Sequence, residues 1–308
     1  MKVFEDKIRF SIIIYIIIAL YIVGCWIIFP IMLTSSVLGR VETLDRIYDP
    51  PSGTPEPPTI ISIKTKDDIM LSGWLFPVAS PKAWIIVLPD PYRNRSSMMS
   101  LIRWFTNQGY GVEAMDLRAR GDSEGRFLTG GVIEAQDLLL TVNRLRNQVG
   151  DQTPMVVYGV SLGAVAALVA ASQSDAFEAV IADSPFPSTA NWFYGEAKRQ
   201  GWLRFPGLYI AARLWAPIIT GYRESGSNLK LVKIVGSVRA PVLFLTGEKD
   251  PNLNNQDVLA LRSAISVTTK AENFPTGYCG SLYALNRETY QTALSDFLIK
   301  ITTPKVKQ

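Results

Sequence analysis

The sequence has no histidine among its 308 residues. That removes the side chain that titrates near neutral pH, the commonest general base and the commonest metal ligand. Cysteine is nearly as scarce. Cys25 and Cys279 fall in segments of different character, the first inside a long apolar run and the second close to the C-terminus, so no disulfide framework is expected. Blocks of like charge are missing too: 31 Lys and Arg face 27 Asp and Glu, giving a net charge of +4 spread along the chain. Such a balance implies weak attraction to anionic surfaces and argues against a nucleic-acid module. No phosphate loop or dinucleotide fingerprint is present. The carboxylates Asp183, Glu248 and Asp250 are too few and too scattered to argue for a metal, so neither cofactor nor metal is expected.

Apolar residues are what the chain has in quantity. With 48% hydrophobic and 19% charged residues, it can bury a full core, and one large domain with appendages is the simplest arrangement. From Phe10 to Leu33 (FSIIIYIIIALYIVGCWIIFPIML) no residue is charged. At about 1.5 Å per residue, this run exceeds the roughly 20 residues that a bilayer core requires. It predicts a single transmembrane helix over residues 10–33 of an N-terminal segment 1–33. A cleaved signal peptide has a shorter apolar region, roughly 7–15 residues, and a soluble core helix keeps a polar face. Lys2, Lys7 and Arg9 precede the span and Arg40 and Arg46 follow it. This margin of one cation leans toward a cytoplasmic N-terminus, which puts the body of the protein on the non-cytoplasmic side. The membrane is therefore an expected partner.

Residues 34–58 are expected to form a linker, because DPPSGTPEPP forbids a continuing helix and favours an extended spacer. The domain is expected over 59–302, followed by a tail at 303–308. TIISIKTKDDIMLSGWLFP alternates as two paired strands around a turn at Lys66 to Asp68. Short apolar strands then alternate with helical stretches: AWIIVL, YGVEAMDL, PMVVYG, FEAVIAD, PVLFLTG and a weaker TTKAENF. This alternation predicts a mostly parallel sheet covered on both faces. Residues 185–237 interrupt it as a helical, cap-like insertion carrying Trp192, Phe193, Tyr194, Trp202, Phe205, Tyr209 and Trp215. Packing onto the body accounts for such aromatics most simply; an apolar lid or a surface resting on the membrane is the functional alternative.

Gly159-Val160-Ser161-Leu162-Gly163 matches G-x-S-x-G. It follows the strand PMVVY and opens the small-residue helix LGAVAALVAAS, the strand-turn-helix setting that exposes a serine Oγ on a strained turn. Together with GYGVEAMDLRARGDSEG, VIEAQDLLLTVNRLR, VIADSPF and PVLFLTGEKDPN, in that order, the chain resembles the α/β-hydrolase fold superfamily. Within it, the chain is most similar to bacterial serine hydrolases of the serine aminopeptidase-like type, from about Ile60 to Phe297. The resemblance implies an α/β-hydrolase sheet with helices on both faces, Ser161 at the nucleophile position, Asp250 at the acid position and the Leu162 N–H in the oxyanion hole. It also implies a histidine in a G-x-G-H-G segment before the last helix. In FPTGYCGSLY that place is held by Cys279.

A serine hydroxyl is a poor nucleophile until a base takes its proton. Cys279 could act only as a thiolate, and a thiolate beside Asp250 meets a like charge. The loop after the first parallel strand departs as well. There the family writes a histidine-glycine pair followed by an N–H donor to the oxyanion; here Pro89 and Asp90 replace the pair and Pro91, which has no N–H, falls on the donor position. A shift of one residue puts Tyr92 there instead. Arg120 and Thr246 stand where related sequences often carry non-catalytic histidines, so the depletion runs through the whole chain. Two short motifs complete the inventory: the sequon Asn94-Arg95-Ser96 and the integrin-type tripeptide Arg120-Gly121-Asp122, whose Gly and Asp the family pattern explains. These features point to a membrane-anchored pseudoenzyme that binds a small acyl-type ligand or a protein partner. The alternative is an active serine hydrolase of esters, thioesters or amides with a non-standard base, so enzymatic activity stays open at this point.

Overall fold

The computed structural model describes residues 2–40, 53–150, 152–202, 207–223, 229–250 and 253–303. The chain begins as almost continuous helix: α1 (Lys2–Val23), a five-residue π-helical turn (Gly24–Ile28) and α2 (Phe29–Leu38). From Ile8 to Val23 the apolar side chains stand open on every side, with Phe10, Tyr15, Leu20 and Tyr21 each at least 63% exposed. Burial then appears on one face, at Pro30, Leu33, Thr34, Val37 and Leu38, the three-and-four spacing of a helix against a core. The helix therefore does not end at Leu33, and residues 34–38 are not extended linker. They stay helical because Leu33, Val37 and Leu38 join the main apolar cluster of the domain. Pro30 falls in the first turn of α2, where a missing N–H is tolerated. Residues 41–52, which hold most of the expected spacer, lie outside the described residues.

Eight strands make one sheet among the described residues, in the order β1-β2-β4-β3-β5-β6-β7-β8. β1 (Thr59–Lys64) and β2 (Met70–Phe76) form the antiparallel pair read from the sequence, with Lys64 opposite Met70. β2 is also antiparallel to β4 (Gly111–Met115). From β4 onward the pairs are parallel: β4 with β3 (Trp84–Leu88), β3 with β5 (Met155–Val160), and then β6 (Ala179–Asp183), β7 (Val242–Gly247) and β8 (Thr269–Phe274). Every residue of β3 to β7 is buried, as expected for strands covered on both faces. β8 closes the edge with only Phe274 buried and with Lys270 and Glu272 paired at 3.0 Å, charges that discourage pairing with another chain.

Helices α4 (Val132–Val149) and α5 (Leu162–Gln173) pack on one face. Helix α3 (Met99–Asn107) and the C-terminal helix (Arg287–Thr302) cover the other. Helix α5 has no polar face because it needs none: Leu162 to Ala171 are all buried. At about 1.5–3 kcal/mol for each fully buried aliphatic side chain, these two layers supply the apolar drive for the fold. Between β6 and β7 lie the helices α6 (Thr189–Arg199), α7 (Leu208–Thr220) and the short α8 (Leu231–Ile234). Trp192 and Phe193 are buried in the main cluster, whereas Tyr194 is exposed. Trp202 and Trp215 meet the N-terminal helix instead, by a ring contact to Phe29 and a hydrogen bond to Trp26. Phe205 and the Tyr209 side chain lie outside the described residues.

Candidate active site

Ser161 sits between β5 and α5 with φ 53° and ψ −111°, a conformation that a residue with a side chain adopts only under constraint. The flanking glycines are required by space. A Cβ at Gly159 would overlap the Gly163 carbonyl, and one at Gly163 would come within 2.8 Å of the Leu88 carbonyl oxygen. Strand β5, strand β3 and the start of α5 can therefore converge on this turn. The Ser161 N–H donates to the Asp183 main-chain oxygen at 2.8 Å, and its own carbonyl accepts from Val165 at 2.9 Å. Leu162, buried, opens α5, where first-turn N–H groups have no partner within the helix.

The structure brings Cys279 within interaction range of Ser161, Asp90, Asp183 and Asp250. Asp250 is buried on the turn after β7, its N–H donating to the Gly247 oxygen at 3.1 Å. Burial pushes the Cys279 thiol well above its ordinary range, and Asp90, Asp183 and Asp250 push it further. It is a neutral thiol at physiological pH.

Pro91 stands in the loop after β3 with its carbonyl taken by the Arg120 Nε. The one-residue shift to Tyr92 supplies no free donor either, because the Tyr92 N–H donates to the Asp90 carboxylate at 2.9 Å. The Tyr92 ring is held under the Arg199 guanidinium of α6 at 5.3 Å. Buried Asp90 reaches toward the Cys279 loop, where a Cβ on Gly280 would lie 3.0 Å from its Oδ2. A cavity of about 130 Å³ opens here, lined by Asp90, Met98, Tyr158, Val160, Asp183 and Gly280 among others. A larger groove of about 550 Å³ lies over Arg118 and α4 and shares no lining residue with it.

Residues 74–216 match the sequence profile of the X-Pro dipeptidyl-peptidase (S15) family. An uncharacterized protein of Bacillus subtilis (strain 168), YqkD, is 26% identical over 223 residues, which is 70% of each chain. Among solved structures, the Pyrococcus furiosus esterase Pf2001 aligns with a TM-score of 0.68 at 20% identity, over 85% of this chain and 98% of its own. The α/β hydrolase GrgF from Penicillium sp. sh18 aligns with a TM-score of 0.66 at 18% identity, over 80% and 99%. This chain has the α/β-hydrolase fold. Its strand order, with β2 alone running against its two neighbours, places the Ser161 turn and the loops carrying Asp90, Asp183 and Asp250 at the C-terminal ends of parallel strands, where open α/β sheets bind ligands.

Three features of this α/β-hydrolase site escape the sequence pattern. One is Arg120, fully buried, which joins the Pro91 carbonyl to the Gly39 carbonyl at the end of α2 (2.8 Å); its burial rules out the integrin-type reading of the tripeptide. Another is Asn94, wholly buried with its Oδ1 accepting from the Ser96 N–H at 2.8 Å, so the sequon is closed in the folded protein. The third is Asp183, whose Oδ2 accepts from Tyr290 at 2.6 Å and Tyr158 at 3.3 Å. Only the apolar context of VIADSPF hinted at its burial.

Burial pushes the Asp183 carboxyl up to about 7, against the lowering effect of the Tyr290 hydrogen bond. An unfolded aspartate titrates near 3.9, so between about pH 4 and pH 7 the folded state holds a proton that the unfolded state has released. Stability from this group is therefore present at low pH and lost as pH rises toward 7, at no more than about 1.4 kcal/mol per pH unit. Thermal unfolding from pH 5 to pH 8 should show wild type losing more stability than Asp183→Asn. Parallel curves would remove Asp183 as the titrating group.

Proposed function

We propose that this protein is a membrane-anchored α/β-hydrolase-fold protein that binds a small acyl-type ligand or a protein partner without turning it over. The observation that carries this reading is the placement of the Cys279 thiol within interaction range of Ser161 and among Asp90, Asp183 and Asp250, which together with burial keep it protonated. A protonated thiol takes no proton from serine, and the serine stays a poor nucleophile. Pro91 adds a second deficit, since the loss of one oxyanion donor lowers the rate by about 10²–10³. The long apolar α1 supports a single-pass anchor, with the N-terminus cytoplasmic and the domain on the opposite side. Protease added to intact cells should then digest the domain, and protection until the membrane is opened would reverse the orientation.

A second reading draws on the retained strained turn at Ser161: an active serine hydrolase of esters, thioesters or amides. Ser161 would be the nucleophile, Asp250 a supporting acid and the Leu162 N–H an oxyanion donor, with Cys279 or a bound water as base. Covalent labelling of the purified full chain by a fluorophosphonate separates the two. Wild type should give no more adduct than Ser161→Ala. An adduct on Ser161 that disappears in the alanine variant would establish an activated serine and the second reading.

A further inference from the structure

Helix α7 has two apolar faces. Leu208, Ala211, Ala212 and Ala216 are buried, while Ile210, Leu214 and Ile218, spaced four apart, are 47%, 66% and 70% exposed. The thirteen-residue helix carries a single charge, Arg213. Its neighbour identifies what the outer stripe meets. Helix α7 packs along α2 and the π-helical turn. The Trp215 indole N–H donates to the Trp26 carbonyl at 2.8 Å, and the Thr34 hydroxyl donates to the Ala212 carbonyl at 2.8 Å. These bonds fix the height of α7 along the N-terminal helix.

That height follows from length. Counting from Phe10, the roughly 20 residues that cross a hydrocarbon core of about 30 Å end near Phe29. Trp26 then lies about 4.5 Å inside the core edge, at about 1.5 Å per residue. A helix bonded to Trp26 sits at the same level. Trp26, Ile28 and Met32, each at least 50% exposed, continue the apolar surface from the span toward the cap. The Trp215–Trp26 bond suits this depth, because an indole N–H without water must find a protein acceptor and tryptophan favours the interface.

We infer that α7 is an interfacial helix whose Ile210–Leu214–Ile218 stripe lies against the acyl-chain and headgroup boundary, so that the cap rests on the bilayer. The inference rests on the membrane-anchor reading of α1. In a Cys25→Ser, Cys279→Ser background, single nitroxides are introduced through Leu214→Cys, Ile218→Cys, Ile17→Cys in α1 and Leu259→Cys. Leu259, 58% exposed, belongs to α9 (Asn255–Ala264), which packs on α8. The full chain is placed in nanodiscs of phosphatidylcholine and phosphatidylglycerol, and relaxation by oxygen, which partitions into lipid, is compared with relaxation by a water-soluble nickel chelate. Labels at 17, 214 and 218 should favour oxygen several-fold over the label at 259. If 214 and 218 behave like 259 while 17 lies in lipid, docking fails and the anchor stands. If 17 is also aqueous, both fail. Shielding of 214 and 218 from both reagents would mean that protein covers the stripe, overturning the lipid assignment.

Discussion

Replacing Cys279 with histidine should make Ser161 a measurable nucleophile. The thiol at this position lies within interaction range of the serine but takes no proton from it, since burial and the carboxylates of Asp90, Asp183 and Asp250 hold it neutral. An imidazole would meet the same hydroxyl with a base whose ordinary range is near 6.5, and a positioned base contributes about 10²–10⁴ in rate. The same carboxylates act on it in the opposite sense, favouring the imidazolium, so fluorophosphonate labelling of Cys279→His should rise with pH to above 7. Adding Pro91→Gly restores an N–H at the donor position and should raise the labelling rate a further 10²-fold or so. Rate constants for wild type, Ser161→Ala, Cys279→His and the double variant test both steps. Wild type labelling as fast as Cys279→His would discard the missing base as the cause. A double variant no faster than the single would discard Pro91 as the missing donor, leaving the Asp90 carboxylate as the obstacle.

The second large effect is expected at Arg120. This side chain is fully buried and gives hydrogen bonds to three main-chain carbonyls, those of Pro91, Gly39 (2.8 Å) and Ala119 (2.8 Å). Desolvation lowers its pKa to about 10, which still leaves it charged at neutral pH. Arg120→Met removes the donors and strands buried acceptors at about 1–3 kcal/mol each, so a loss of about 3 kcal/mol or more is expected. Thermal unfolding in detergent should show a midpoint several degrees lower. Because Arg120 links the site loop to the end of α2, the same variant should speed proteolysis near Arg40, whose guanidinium holds the Ser123 oxygen at 2.8 Å. A midpoint within about 1 °C of wild type would mean that these bonds are replaced by water.

Much of the molecule is legible without coordinates where one physical pattern dominates. The uncharged run from Phe10, the fully apolar strands and the small-residue helix after Ser161 each follow from where hydrophobic side chains must go. The strained turn follows because G-x-S-x-G has few other ways to join a buried strand to a buried helix. Strand ends differ from expectation by one or two residues, since their limits are set by local hydrogen bonds, whereas the N-terminal helix runs from Lys2 to Leu38 rather than over 10–33.

What the sequence by itself determined is therefore the α/β-hydrolase fold behind an apolar N-terminal helix, in a chain without histidine. Tertiary structure alone decided how that helix joins the domain and what surrounds Cys279. The prolines between Asp49 and Pro58 suggested a spacer from residue 34. Yet Leu33, Val37 and Leu38 stay helical because α7, far away in sequence, offers them an apolar surface. Likewise nothing local to Asp90 or Asp183 shows that both carboxylates converge with Asp250 on one thiol. Pattern along a chain records which residues avoid water; which charges end up facing each other depends on loops brought together by the sheet.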